Sequence, residues 1–247
     1  MRRCMCMLFF MMLLGLPVCV CAQDTITAAV AANFIKPFEE ISILFEQETG
    51  IKVEATFTST GKLYAQIVKG APYDVFLAAD EKRPALLFSD QLSEEPFVYA
   101  RGKVVLWSLD KKLCEGKDWK QVVSDVKIAK IAVANTESAP YGTVAMIAMQ
   151  EAGLWEQLQD RFVFPQTIAQ VFQYASTGNV DVGFCALSSA VTEEGKKGCW
   201  LEVEEAPEVI QASCILKRSG KLPEAKKFTA FLLSDKAAEV KQRYGYR

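Results

Sequence analysis

Residues 56–80 read TFTSTGKLYAQIVKGAPYDVFLAAD, and this stretch decides the fold class. Just before and into it, Ile51, Val53, Ala55 and Phe57 alternate with polar residues, the period-2 pattern of a strand with one buried face. Three hydroxyls and a glycine follow at Thr58, Ser59, Thr60 and Gly61. Leu63, Ile67 and Val68 then recur at helical spacing until Gly70 and Pro72 stop the helix, and residues 73–79 form a second, mostly apolar strand ending at Asp80. The order is strand, hydroxyl-rich turn, helix, strand. Amides at a helix start are unpaired and carry partial positive charge, so a small anion can rest there while Ser or Thr hydroxyls complete its shell. Taken alone, the simplest role of Ser59 or Thr60 is to cap the helix.

Outward from this stretch the pattern repeats. A small-residue run, TITAAVAA at 25–32, hands over to a helix at Asn33, where Phe34, Phe38, Ile41 and Phe45 keep helical spacing. Asn33 suits an N-cap, and its side-chain amide can donate to a ligand. Residues 97–109 (FVYARGKVVLWSL) are a long apolar strand or strand pair, able to carry the chain from one lobe to another. A strand at 128–133 leads into NTESAPYG at 135–142 and a helix, and Gln166 and Thr167 precede another with Ile168, Val171, Phe172 and Ala175 on one face. VDVGFCAL at 180–187 is a buried strand ending at Ser188 and Ser189, strands follow at 200–203 and 209–216, and two helices close the chain. Alternating strands and helices give an α/β fold with mainly parallel sheets.

Ligands in such sheets collect where strands end and helices begin. Four such points carry Asn, Ser, Thr or Gly: Asn33, residues 58–61, residues 138–142, and Thr167 with Ile168. Asp74 and Asp80 could be imagined as a catalytic carboxylate pair, but no acid/base partner accompanies them, and two strand-end carboxylates is the plainer reading.

Composition narrows the chemistry further. Histidine is absent from the 247 residues, which removes Ser-His-Asp and Cys-His catalysis and every His-ligated metal site. Met1, Arg2 and Arg3 followed by an apolar stretch and Val20-Cys21-Ala22 predict a signal peptide over residues 1–22, cut after Ala22. A lipoprotein anchored through Cys19 or Cys21 is the alternative. Without Arg2 and Arg3 the chain has 26 basic and 30 acidic residues, a net charge near −4. No basic stripe points to nucleic acid. Cys114, Cys185, Cys199 and Cys214 remain, too widely spaced for a zinc cluster, and in an oxidising compartment they allow one or two disulfides of undetermined pairing.

The order AANF, FTSTGKLYAQIVKGAPYDVFLAAD, APYG, VDVGFCALS, YGY resembles the periplasmic molybdate-binding proteins of ABC importers over nearly the whole chain after the signal. The middle block is its most specific part. The resemblance implies two α/β lobes of the type II periplasmic-binding-protein fold, hinged by crossing strands near residues 99–104 and 210–213. Lobe one would be residues 24–98 plus 212–247, and lobe two residues 99–211. It implies a tetrahedral oxyanion, molybdate or tungstate, held by Asn33, Thr60 with Ser59 beside it, the Tyr141 amide and the Ile168 amide. The metal of the ion would be reached only through its oxygens, with no direct ligand and no cofactor. Where some relatives place a ligand Tyr, this chain has Cys185-Ala186-Leu187, with Ser188 as a substitute donor. The implied protein is a periplasmic monomer that serves a membrane permease and is not an enzyme.

A neutral cage can hold a dianion when helix-start dipoles converge and each oxygen is hydrogen-bonded. Sulfate would be refused by cavity size. Protonated phosphate would gain from a buried carboxylate that these turns do not clearly offer. A secreted enzyme would need a nucleophile–base spacing, and an organic-solute binder an aromatic or charged clamp.

Overall fold

The computed structural model describes residues 24–247, so the predicted signal peptide lies outside the described residues. The chain begins in β1 (Thr25–Ala31), β2 (Lys52–Thr58), β3 (Val75–Leu77) and β4 (Phe97–Gly102). It then passes into β5 (Val104–Ser108), β6 (Ile131–Ala132), β7 (Phe162–Val163), β8 (Val182–Ala186) and β9 (Cys199–Glu202), and returns through β10 (Val209–Ile215). Two five-stranded sheets result, ordered β2-β1-β3-β10-β4 and β7-β6-β8-β5-β9.

Each sheet is mixed but mainly parallel in direction: four strands run one way, and a single strand, β10 in the first sheet and β5 in the second, runs against them. The βαβ units pair in parallel, β1 with β2 and β3 in one sheet and β6 with β7 and β8 in the other. The strands that carry the chain between sheets, β4, β5 and β10, pair antiparallel, as does β9 on β5. Of these, β5 and β10 arrive from the other sheet with no helix to bring them back in the common direction, so they run against their neighbours, while β4, delivered by α3, runs with β3. The crossings fall at Lys103 and at residues 203–208: β4 stays in the first sheet through Gly102, and β10 joins it from Val209. Each lobe-one segment thus reaches a few residues further than the boundaries at 98/99 and 211/212.

The first sheet is sandwiched. On one face lie α1 (Ile35–Thr49) and the closing pair α8 (Leu222–Leu232) and α9 (Asp235–Arg243); on the other lie α2 (Thr60–Val68) and α3 (Lys82–Ser89). Phe34, Phe38, Ile41 and Phe45 are all buried, as their spacing requires, with Phe38 and Phe45 edge-on to Phe228. Each large apolar side chain so buried contributes about 1.5–3 kcal/mol, more than local helix propensity could, so this stripe sets the orientation of α1. Leu63, Ile67 and Leu87 fill the opposite face with Cys214.

The second lobe adds α4 (Trp119–Ser124), α5 (Pro140–Glu151), α6 (Ile168–Ser176) and α7 (Leu187–Ala190) around a core of Trp107, Trp119, Phe184 and Val171. Cys114 and Cys199 form a disulfide, tying the turn after β5 to edge strand β9, while Cys185 and Cys214 are free and buried. Burial raises both thiols, Cys214 to about 12.

Candidate functional site

Four helix starts face one another between the lobes. Strand β1 runs into a 3-10 turn, Ala32–Phe34, ahead of α1; β2 ends two residues before α2; and α5 and α6 begin at Pro140 and Ile168. All five residues expected from the sequence, Asn33, Ser59, Thr60, Tyr141 and Ile168, line one small pocket there, joined by Ala79 from the end of β3. Local sequence explains the geometry. Pro140 occupies a first-turn position where a missing N–H costs nothing. Thr167 caps α6 by accepting from the Gln170 amide at 3.2 Å, which leaves the Ile168 amide without an acceptor in its own helix.

Ser59 is the decisive side chain. It stands at the N-cap of α2 with extended backbone, yet its hydroxyl makes no capping bond. Its Oγ is buried and has no hydrogen-bond partner at all. Such an orphan hydroxyl costs about 1–3 kcal/mol, and an acceptor entering the pocket relieves that cost. Ser93 and Ser213 also carry buried, unpartnered hydroxyls, but neither lines this pocket. Thr60 does not cap either: its hydroxyl accepts the Ala79 amide at 3.0 Å, tying α2 to the end of β3 and leaving its own proton to give.

Two expectations are corrected. The Asn33 side chain neither caps its turn nor offers a donor to the pocket. Both amide hydrogens are committed, to Gln211 Oε1 at 2.7 Å and to the Tyr246 hydroxyl at 3.0 Å, so Asn33 reaches the pocket through its backbone. Ser188 is no substitute ligand, because it lies outside the pocket and donates to the Asn33 carbonyl at 2.9 Å. Tyr141 presents its amide end to the pocket; its hydroxyl points away and accepts from Gln211 at 3.3 Å.

Behind the pocket these groups join one buried network. Tyr246, near the C-terminus, donates to the Asn33 carbonyl at 2.8 Å, and Tyr99 donates to Gln211 Oε1 and the Ala78 carbonyl, both at 3.2 Å. Burial raises Tyr99, Tyr141 and Tyr246 above the ordinary phenol range, so all three stay neutral. Gly102 permits this convergence: a Cβ there would lie 2.1 Å from the Tyr141 hydroxyl. Sequence reading passed over Gln211, although a lone amide inside the apolar run VIQASCIL marks a buried group needing partners.

The acidic residues have structural work. Asp74 accepts from the Thr27 amide at 2.7 Å and from the Ser219 hydroxyl at 2.7 Å, and Asp80 pairs with Arg83, so the imagined carboxylate pair is not one. Every residue lining the pocket is formally neutral. The space between these residues is small, which favours a small inorganic ion over a sugar or an amino acid. A wider interlobe groove of about 820 Å³ lies beyond Asn33, but two of its lysines are already paired, Lys36 with Glu39 and Lys196 with Glu193.

Residues 26–247 match the family described as bacterial extracellular solute-binding protein. The chain is 36% identical over 227 residues to the molybdate-binding protein ModA of Rhodobacter capsulatus, covering 91% of this chain and 89% of that one. Its fold is similar to the solved periplasmic molybdate-binding protein of Azotobacter vinelandii, with a TM-score of 0.85, 30% identity, and coverage of 90% of this chain and 98% of that one. The sulfate-binding protein SubI of Mycobacterium tuberculosis shares the fold alone, at a TM-score of 0.76 and 16% identity over 91% of this chain and 86% of that one.

Proposed function

The chain belongs to the bacterial extracellular solute-binding proteins, and from that premise we propose that it captures molybdate, and tungstate with it, and hands the ion to an ABC importer. It acts without catalysis and without a cofactor, as a monomer exported by the predicted signal peptide. The relatives named above as molybdate-binding support the choice of ion. The observation that carries the reading is the buried, partnerless Ser59 hydroxyl set among four helix starts in a pocket with no charged lining.

The chemistry follows from that arrangement. Ser59 and Thr60 hydroxyls and the amides of Asn33, Tyr141 and Ile168 are donors that converge from both lobes, so an ion with four acceptor oxygens and no proton satisfies them best. Helix-start dipoles supply the positive potential that a lysine or arginine would otherwise supply. Holding the ion without a charged partner keeps it releasable. A protonated oxyanion is disfavoured because its O–H would face donors only. Sulfate is smaller, and in a cage sized for molybdate its oxygens leave donors unmet, at about 1–3 kcal/mol each.

Isothermal calorimetry on the chain from residue 23 onward, with molybdate, tungstate, sulfate and phosphate, tests the proposal. One-to-one binding of the first two with sulfate at least tenfold weaker is expected. Equal competition by sulfate would remove the molybdate assignment and leave a general oxyanion carrier.

A further inference from the structure

On the side of the pocket opposite the buried network, the lobes meet through a small clasp. The turn Asn135–Ala139 of lobe two is preformed: the Asn135 side-chain oxygen accepts from the Ser138 amide and the Ser138 hydroxyl, both at 2.9 Å. Lobe one grips it twice. The Gly61 amide, in the first turn of α2, donates to the Ser138 carbonyl at 2.8 Å. Arg83, in the first turn of α3, donates to the Glu137 carbonyl at 2.7 Å. Arg83 is itself aimed by Asp80, whose carboxylate pairs with its guanidinium and accepts its amide at 2.9 Å. Neither Gly61 nor Arg83 lines the ion pocket, but Gly61 directly follows Ser59 and Thr60, which do, and the turn that both grip ends at Ala139 and leads into Pro140 and Tyr141, which also do.

We propose that Arg83, held by Asp80, is a positioning residue that determines how long the ion is retained, by clasping the Asn135–Ala139 turn to lobe one without touching the ion. The inference rests on the reading of the pocket as an oxyanion site. Its physical basis is that the helix starts of α2 and α5 must stand close enough for one small ion to bridge them, and the turn that precedes α5 is what the clasp holds. Breaking the clasp lets the lobes part, so the ion leaves sooner, while its encounter with the open pocket is unchanged. Gly61 fits the same role by size. A Cβ there would lie 2.9 Å from the Ser138 Cα and 3.0 Å from the Arg83 guanidinium, so any side chain props the clasp open.

The test is the release rate of whichever anion, among molybdate, tungstate, sulfate and phosphate, binds the unaltered protein, measured by isotope dilution and rapid filtration. The ion's identity and the clasp can therefore fail separately. Arg83→Ala should release the ion about tenfold faster, the scale of one lost charge-assisted hydrogen bond, with association within twofold of the unaltered protein. Arg83→Lys keeps the charge but loses the fork and should release as fast as Arg83→Ala. Gly61→Ala, which favours α2 as a helix and leaves lobe one folded, should also speed release. Release unchanged in Arg83→Ala would overturn the proposal, and release unchanged in Gly61→Ala as well would remove the clasp altogether. Recovery of slow release by Arg83→Lys would overturn it equally, since charge alone would then suffice.

Discussion

The ion pocket has two walls built on opposite principles. Behind it, Asn33, Tyr99, Tyr141, Ser188, Gln211 and Tyr246 form a buried network in which each group has a partner and segments distant in the chain converge. In front, two donors from lobe one grip two carbonyls of a single turn, with Arg83 only about one-fifth exposed but at the edge of solvent. The rear wall is costly to disturb, because breaking one bond leaves another polar group stranded in low dielectric. The front wall can open with water taking each group's place. A binding protein that must both hold and release needs this asymmetry, with a permanent axis on one side and a reversible contact on the other.

Ser59→Ala should show the largest effect, and it lies on neither wall. Removing a donor to a charged ligand should weaken molybdate binding by about 1.5–3 kcal/mol. Thermal stability should hold or rise, since the Oγ has no partner in the protein. A drop in stability with unchanged affinity, by calorimetry and thermal melting on the same sample, would mean Ser59 is a structural residue after all.

Asn33→Ala probes the rear wall and should do the reverse. Gln211 and Tyr246 lose their donor, which should lower unfolding free energy by about 1–3 kcal/mol in urea titrations. Ion affinity should fall less than in Ser59→Ala, because the backbone of Asn33 and not its amide side chain faces the ion. Affinity loss exceeding that of Ser59→Ala would erase the distinction between wall and cage.

Tyr141→Phe sharpens the contrast within one residue. Its hydroxyl accepts a single long bond in the rear wall, worth about 0.5–1.5 kcal/mol of stability, while its amide belongs to the cage. Stability should fall slightly and affinity stay within twofold.

The smallest effect expected is that of pH on binding, which should be flat between about pH 6 and 9 because no lining group titrates there. Above that range stability should fail first. Tyr99, Tyr141 and Tyr246 have folded pKa values raised by burial above the unfolded value near 10. The unfolded chain therefore loses its phenol protons at lower pH than the folded one, so stability is complete below about pH 10 and declines as pH rises beyond it. Tyrosinate absorbance of these three should appear only with unfolding, in an alkaline titration followed by circular dichroism.

Much of this was legible in residue order, and the reasons are local. Period-2 runs followed by 3.6-period runs define βαβ units, because each element must present its own apolar face. Hydroxyls and glycine between them mark strand ends, where helix starts leave amides unpaired. Those rules marked Asn33, residues 58–61, residues 138–142 and Thr167 with Ile168 as strand-end turns, the family resemblance singled out Thr60, Tyr141 and Ile168 within them, and all three line the pocket with Asn33 and Ser59. They misread what one of those side chains does, since Asn33 looks like a cap or a ligand. Ser188 was misjudged for the same reason: a hydroxyl after a strand end gives no hint of the partner it meets.

What the sequence alone determined is therefore the alternation of elements, the neutral chemistry at their junctions and the absence of histidine-based catalysis. The direction of the two reversed strands was decided elsewhere, because β5 and β10 take their orientation from the crossing between lobes and not from their own residues. The same holds for the pairing of Cys114 with Cys199, for the convergence of Asn33, Gln211 and Tyr246, and for the grip of Arg83 on Glu137. Each joins residues tens to hundreds of positions apart. A side chain's partner across such a distance depends on how two lobes pack, and periodicity, which reports only which face of an element is buried, carries no record of it.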